Sequence, residues 1–404
     1  MGRNGSNEWK TAQLGDVIEL FDSQRVPLNS RERQERKGEY PYYGAQGVID
    51  HIDGYIFDGR YILVAEDGEN LNSKKLPLAL FATGKFWVNN HAHILRGKPG
   101  VADDTFLLAC LNNADIKPFV TGAAQPKLSQ ANMRLIEIPL PPLPVQRRIA
   151  GILSAYDELM ENSQRRIRIL EAMARALYRE WFVHFRFPGH EKHPRVASPL
   201  GDIPQGWEVK TIADVCESVS YGYTASATRE EVGPKFLRIT DIVPATIDWA
   251  NVPFCEIPED KAPKYLLKPG DIVVARTGAT TGYAKRLNKL HPDTVFASYL
   301  VRARAKAGIS NRMLGIVMES DEYKQYIQTN IGGAAQPQAN AVVLTSMRLA
   351  VPPSSVGEKF DRLAAPMIDE AEMLAVKIEN LRRTRNLLLP RLLSGQVELK
   401  TEAA

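Results

Sequence analysis

The stretch IAGILSAYDELMENSQRRIRILEAMARALYREW, residues 149–181, decides the architecture. Its apolar side chains step by fours and threes from Ile149 through Leu153, Tyr156 and Met160. They pass a polar Ser163 and resume at Ile167, Leu170, Ala174, Leu177 and Trp181. A seam repeating every 3.5 residues, held for about four and a half heptads, needs a second helix against it. Arg165, Arg166, Arg168, Glu171, Arg175 and Glu180 take the flanking faces. Pro144 suits the first turn, where its missing amide hydrogen costs nothing, and Phe187-Pro188-Gly189 stops the helix. The spacing predicts a helix over residues 144–187.

The partner helix lies in the same chain. Moved on by 211 residues, the seam reappears as Phe360, Ala364, Met367, Ala371, Leu374, Ile378, Leu381, Leu388 and Leu392, with Arg385 where Ala174 stood. Ser355 and Glu358 read as a capping box, and Pro366 predicts a kink or a restart. Gly395 marks the end of a helix expected over 354–395. Some 40 helical residues at about 1.5 Å each make a rod of roughly 60 Å. Two such rods in one chain can fill each other's seams, and an antiparallel pairing relates the halves by a pseudo-twofold axis.

The repeat extends beyond the helices. Trp9, Leu14, Asp16 and Val17 return as Trp207, Ile212, Asp214 and Val215, each 198 residues on. Ala123-Ala124-Gln125-Pro126 returns as Ala334-Ala335-Gln336-Pro337, and Pro141-Pro142 as Pro352-Pro353, both 211 residues on. The extra length falls between these anchors, as it would in two domains of one design with different surfaces. Short β-rich runs, Tyr61-Ile62-Leu63-Val64 and Asp271-Ile272-Val273-Val274, sit between Gly- and Pro-bearing turns. The expected fold is α+β. Two mixed α/β domains, residues 1–143 and 206–353, are separated by two long helices that form an antiparallel intramolecular coiled coil. Residues 188–205 form a linker and 396–404 a tail.

Composition bounds the function. The 404 residues suffice for two or three domains, and a net charge of +4 is compatible with a polyanionic partner without demanding one. Cys110, Cys216 and Cys255 are scattered, which argues against a disulfide framework or a zinc site and fits a reducing cytoplasm. No apolar run approaches the length that spans a bilayer, and Met1–Lys10 lacks the apolar core of a signal peptide. No Asn-Pro-Pro-aromatic motif for amino methylation is present. Gly278-Ala279-Thr280-Thr281-Gly282-Tyr283 lacks the Lys and Ser/Thr of a P-loop, and reads as a glycine-rich turn flanked by Arg276, Lys285 and Arg286. Asp293 and Glu319 read as solvated surface. His91 and His93, like His184, His190 and His193, read as exposed side chains and not as metal ligands.

Several stretches are close to the patterns of one family: Tyr42-Tyr43-Gly44-Ala45-Gln46-Gly47, Ala65-Glu66-Asp67-Gly68, Trp181-Phe182-Val183, Arg276-Thr277-Gly278-Ala279-Thr280 and Leu388-Leu389-Pro390-Arg391-Leu392-Leu393-Ser394-Gly395. In their order and doubling they resemble the specificity subunits of type I restriction–modification systems. The resemblance implies two target-recognition domains, each reading one half of a bipartite DNA sequence, with the helices setting the spacing. It implies no catalysis in this chain. Two methyltransferase subunits and two restriction/translocase subunits would be the partners, carrying S-adenosylmethionine, ATP and magnesium. The rival readings are a self-contained methyltransferase, opposed by the missing motifs, and a coiled-coil adaptor that binds no DNA.

Reading DNA takes donors and acceptors for base edges, and cations or amides for phosphates. In the first domain Tyr42, Tyr43, Gln46, Lys74, Lys75, Lys85, Asn89, Asn90 and Lys127 are the candidates. In the second they are Tyr221, Tyr223, Arg229, Lys235, Arg276, Thr277, Lys285 and Arg286. Gln125 and Gln336 are expected to be structural, since repeated residues are ill suited to reading unlike half-sites.

Overall fold

A computed structural model of the chain describes residues 9–122, 125–244, 246–331, 338–397 and 399. The repeated Ala-Ala pair at 123–124 and the whole tetrapeptide at 334–337 lie outside the described residues, as does most of the tail. The chain divides into two compact units. One comprises residues 1–160 and 380–404, the other residues 161–379.

In the first unit a six-stranded sheet runs in the order Ile18–Leu20, Ala92–Gly97, Phe57–Ala65, Ala79–Val88, Lys37–Gly44, Gly47–Ile52. The strand Phe57–Ala65 shows why these residues take that form. Ile62 and Val64 enter the main core while Phe57 and Leu63 enter an aromatic cluster with Phe86, so successive side chains fill opposite faces. A short strand, Lys10–Gln13, pairs antiparallel with Glu137–Leu140 just before the first long helix. The core is closed from the far end of the sequence: Leu392 and Leu393 are buried in it with Val145, Ile149 and Leu153, and Trp9 packs on Gly395.

The second unit repeats the plan. Glu208–Thr211 pairs antiparallel with Arg348–Val351. A four-stranded sheet orders Cys216–Tyr221, Leu300–Ala305, Ile272–Ala275 and Ala284–Arg286, beside a parallel pair, Lys235–Leu237 and Thr294–Phe296. Ile272 and Val274 face one core, Val273 and Ala275 another. Equivalent contacts recur in detail. Lys98 donates its backbone N–H to Val17 and its ammonium to Asp16 O, as Lys306 does to Val215 and Asp214. The amide of Leu14 donates to Ile136 O and that of Ile212 to Met347 O.

The long helices are Leu143–Tyr178 and Ser354–Leu393, about 54 and 60 Å at 1.5 Å per residue. Their seam positions are buried or half-buried, including the polar Ser163. Leu159, Ile169 and Met173 on the first helix, and Leu363, Met373 and Leu387 on the second, lie off the seam and are exposed. Pairing is antiparallel in each unit. In the second, Arg166 meets Glu370 at 2.7 Å while Phe182 meets Phe360 with ring centroids 4.9 Å apart. In the first, Asp157 meets Arg385 at 2.9 Å while Val145 and Ile149 share a core with Leu392 and Leu393.

Four expectations need correction. The first helix gives way at Arg179 to a π-helical turn through Val183, with Trp181 and Phe182 both buried. The second helix neither breaks nor restarts at Pro366, which is exposed, so the hydrogen bond that proline removes falls on the solvent side. It also begins at Ser354, which puts Ser355 inside the first turn and not at the cap. The linker is itself structured, as an antiparallel hairpin of Arg195–Ser198 and Gly201–Pro204.

Candidate nucleic-acid interface

Each domain presents the same strand-end loop. In the first, strand Phe57–Ala65 runs into Glu66-Asp67-Gly68. In the second, strand Ile272–Ala275 runs into Arg276-Thr277-Gly278. Gly68 (φ 106°) and Gly278 (φ 79°) turn the chain through backbone angles that a side chain disfavours. Two hydrogen bonds hold each loop identically. The amide of Glu66 donates to His91 O and the amide of Leu128 to Glu66 O; the amide of Arg276 donates to Tyr299 O and the amide of Ala339 to Arg276 O. In the first domain the loop that carries Gln125-Pro126 therefore returns beside this strand end, and in the second Gln338 and Ala339 do so. The amide of Gly68 donates to Pro126 O in the first, and Thr277 bridges to Gln338 in the second. Gln125 itself is exposed.

On this shared frame the side chains differ. Glu66 is the hub of a charged cluster, 2.7 Å from Arg25, 3.3 Å from Lys127 and 3.8 Å from His93. His93 is buried, with Nδ1 2.6 Å from Asp22 and Nε2 2.8 Å from Leu128 O. Burial pushes the carboxyls of Glu66 and Asp22 up, but Arg25, Lys127 and His93 around Glu66, and His93, the Ile94 amide and Arg25 around Asp22, bring both below their usual range. His91 pairs with Asp67 at 2.6 Å. In the second domain the guanidinium of Arg276 lies over the Tyr221 ring, 4.9 Å from its centroid. The Tyr221 hydroxyl accepts from the amide of Ala341 at 3.0 Å, and the Arg276 Nε is enclosed without a hydrogen-bond partner among the described residues.

Not every candidate is available to DNA. Tyr42 is fully buried, its hydroxyl accepting from the amide of Leu28 at 2.9 Å, and is a core residue. Asn89 is buried, with Oδ1 accepting from the His91 amide. Arg286 leaves the glycine-rich turn altogether: its guanidinium pairs with Glu372 of the second long helix, and its amide donates to Glu319. Glu319 is thus a ligand of the backbone and not loose surface charge. Lys235 donates to Val252 O and packs on Phe254, and Lys74 donates to Ala114 O. Of the histidines expected to be exposed, His93 is buried and His190 half-buried against the Phe187 carbonyl. Tyr43 packs edge-on against Phe86, Tyr223 packs against Tyr265, and Lys85 sits over the Tyr55 ring. Lys285 is half-buried on a strand paired with Ile272–Val274. Lys127 spends its charge on Glu66. Gln46, Lys75, Asn90 and Arg229 remain exposed, Tyr221 and Arg276 form one unit, and Thr277 adjoins it.

The segment Gly278–Tyr283 is a hairpin turn, closed by Gly282 N–H to Ala275 O and Ala275 N–H to Tyr283 O, and it leads into strand Ala284–Arg286. A phosphate-binding P-loop would lead into a helix. Arg25, Glu66 and Asp22 went unnoticed as a cluster in the sequence; only the Ala65-Glu66-Asp67-Gly68 stretch hinted at it.

Residues 6–172 match the type I restriction modification DNA specificity domain, which defines the class of the first half. A chain of Haemophilus influenzae provisionally named a type I restriction enzyme specificity subunit is 39% identical over 153 residues, 38% of each chain. The MjaVIII type I restriction enzyme specificity subunit of Methanocaldococcus jannaschii is 24% identical over 97% of this chain and 94% of its own. The crystal structure of the S subunit of a type I restriction–modification system from M. genitalium superposes with a TM-score of 0.64 over 99% of each chain at 13% identity, a likeness of fold. The first half of the chain thus carries the match to the specificity domain, and nearly the whole chain is similar in sequence to a specificity subunit of a type I restriction–modification system. No helix among the described residues is long and apolar enough to cross a membrane.

Proposed function

We propose that this chain is the specificity subunit of a type I restriction–modification system and reads a bipartite DNA target, residues 1–143 recognising one half and residues 206–353 the other, with the paired helices as the spacer. The observation that carries this reading is the doubled loop: one backbone frame, fixed by equivalent hydrogen bonds, presents Glu66, Asp67 and His91 in one domain and Arg276, Thr277 and Tyr299 in the other. A frame held constant while its side chains change is what two readers of unlike half-sites require. Gln46, Lys75, Asn90, Tyr221, Arg229, Arg276 and Thr277 are the contacts to be tested first.

The subunit scaffolds two adenine methyltransferase subunits and two restriction/translocase subunits in the cytoplasm. S-adenosylmethionine, ATP and magnesium belong to those partners. Mapping methylated adenines in cells with and without the gene tests the whole reading. Loss of methylation at one split sequence is expected; an unchanged map, with the chain shown to be expressed, overturns it.

A further inference from the structure

Positions 66 and 276 are the same place in the two repeats, carrying opposite charge. Their backbone amides and carbonyls have equivalent partners, at 2.9 and 2.7 Å for Glu66 and at 3.1 and 2.9 Å for Arg276. In the first domain the charge is internally balanced, since Arg25 and Lys127 both pair with Glu66. A phosphate approaching Lys127 would have to compete with that carboxylate and meet its repulsion. In the second domain no carboxylate pairs with Arg276 among the described residues. The Tyr221 ring, itself tethered through its hydroxyl to the Ala341 amide, holds the guanidinium plane in place. A guanidinium preoriented on an aromatic ring, with no carboxylate paired to it among the described residues, suits a phosphate oxygen.

We propose that the two domains divide the electrostatic work of DNA binding unequally, Arg276 binding a backbone phosphate while Glu66 holds Lys127 out of contact. This rests on the DNA-reading role proposed above. Each phosphate neutralised releases condensed counterions, so the dependence of log affinity on log salt counts such contacts.

The test is fluorescence anisotropy of the full chain on a mixed-sequence DNA duplex across a potassium chloride series, with thermal melts confirming that each variant folds. Arg276→Gln is expected to make the slope shallower by about one, Arg276→Lys to keep it, and Lys127→Gln to leave it unchanged. Glu66→Gln, by releasing Lys127, is expected to steepen it by up to about one. Equal loss on Arg276→Gln and Lys127→Gln, or an unchanged slope on Arg276→Gln, overturns the division while leaving DNA binding intact. Loss of affinity on Arg276→Gln at constant slope also overturns it, pointing to a base contact instead. Wild-type chain without salt-dependent retention overturns the DNA-reading role itself.

Discussion

Asp22 shows what a single buried carboxylate contributes here. It accepts from His93 and from the Ile94 amide with Arg25 alongside, and despite its burial these partners depress its pKa, as Glu66's partners depress its own. Because the folded values are lowered, the unfolded chain takes up these protons first as pH falls. The stabilisation is complete above the unfolded carboxylate range near pH 4 and is lost as pH drops through the folded values. A pH series of thermal melts should therefore show an acid limb that Asp22→Asn flattens. That variant is expected to be about 2–3 kcal/mol less stable at neutral pH, since it removes a charge-assisted acceptor from buried donors; a limb as steep as wild type would refute the assignment. Such clusters are where sequence reading ran out. Tyr42, His93 and Arg286 look like surface groups in a string, and their true partners, Leu28, Asp22 and Glu372, lie 14, 71 and 86 residues away. No local period reports a partner at that range. The glycine turn after Ala275 was legible because φ leaves its mark in composition.

The long helices were the most readable elements, because a heptad seam is periodic and burial follows it almost residue by residue. Arg385 is the lapse in the pattern, and the structure gives it a partner, Asp157, at 2.9 Å. Both side chains are partly exposed, so the ion pair is worth about 0–1 kcal/mol. Replacing it with a hydrophobe that fits the seam, Arg385→Leu, should raise stability by roughly 1 kcal/mol, read from urea unfolding. A destabilised variant would mean that the arginine does more than fill the position. Conversely, Ile167→Asp puts a charge at a buried seam position in the second unit. It should destabilise the pairing by about 3 kcal/mol or more and reduce recovery of a complex with the methyltransferase subunit on gel filtration. Normal recovery would separate helix pairing from assembly. The hairpin inside the linker and the π-helical turn at Arg179–Val183 were invisible to periodicity, since each is a single local excursion that the surrounding fold enforces.

At the scale of the molecule, the repeat was written in the sequence as two offsets, 198 and 211, and the contacts of Lys98 and Lys306 give that repeat a physical meaning. What the offsets could not tell is how each unit is assembled from the chain. The second is one continuous segment, residues 161–379, while the first borrows residues 380–404 to cover Val145, Ile149 and Leu153 with Leu392 and Leu393. Synthesis and closure must then run in opposite orders. The half that leaves the ribosome first waits, with part of its apolar surface bare, until the last helical turns are translated. A chain truncated after residue 379 should resist protease across 161–379 and be cleaved within the first 160 residues, and uniform protection would rule this out. Cells that make this protein have reason to shield its early half with a chaperone until residues 380–393 have emerged.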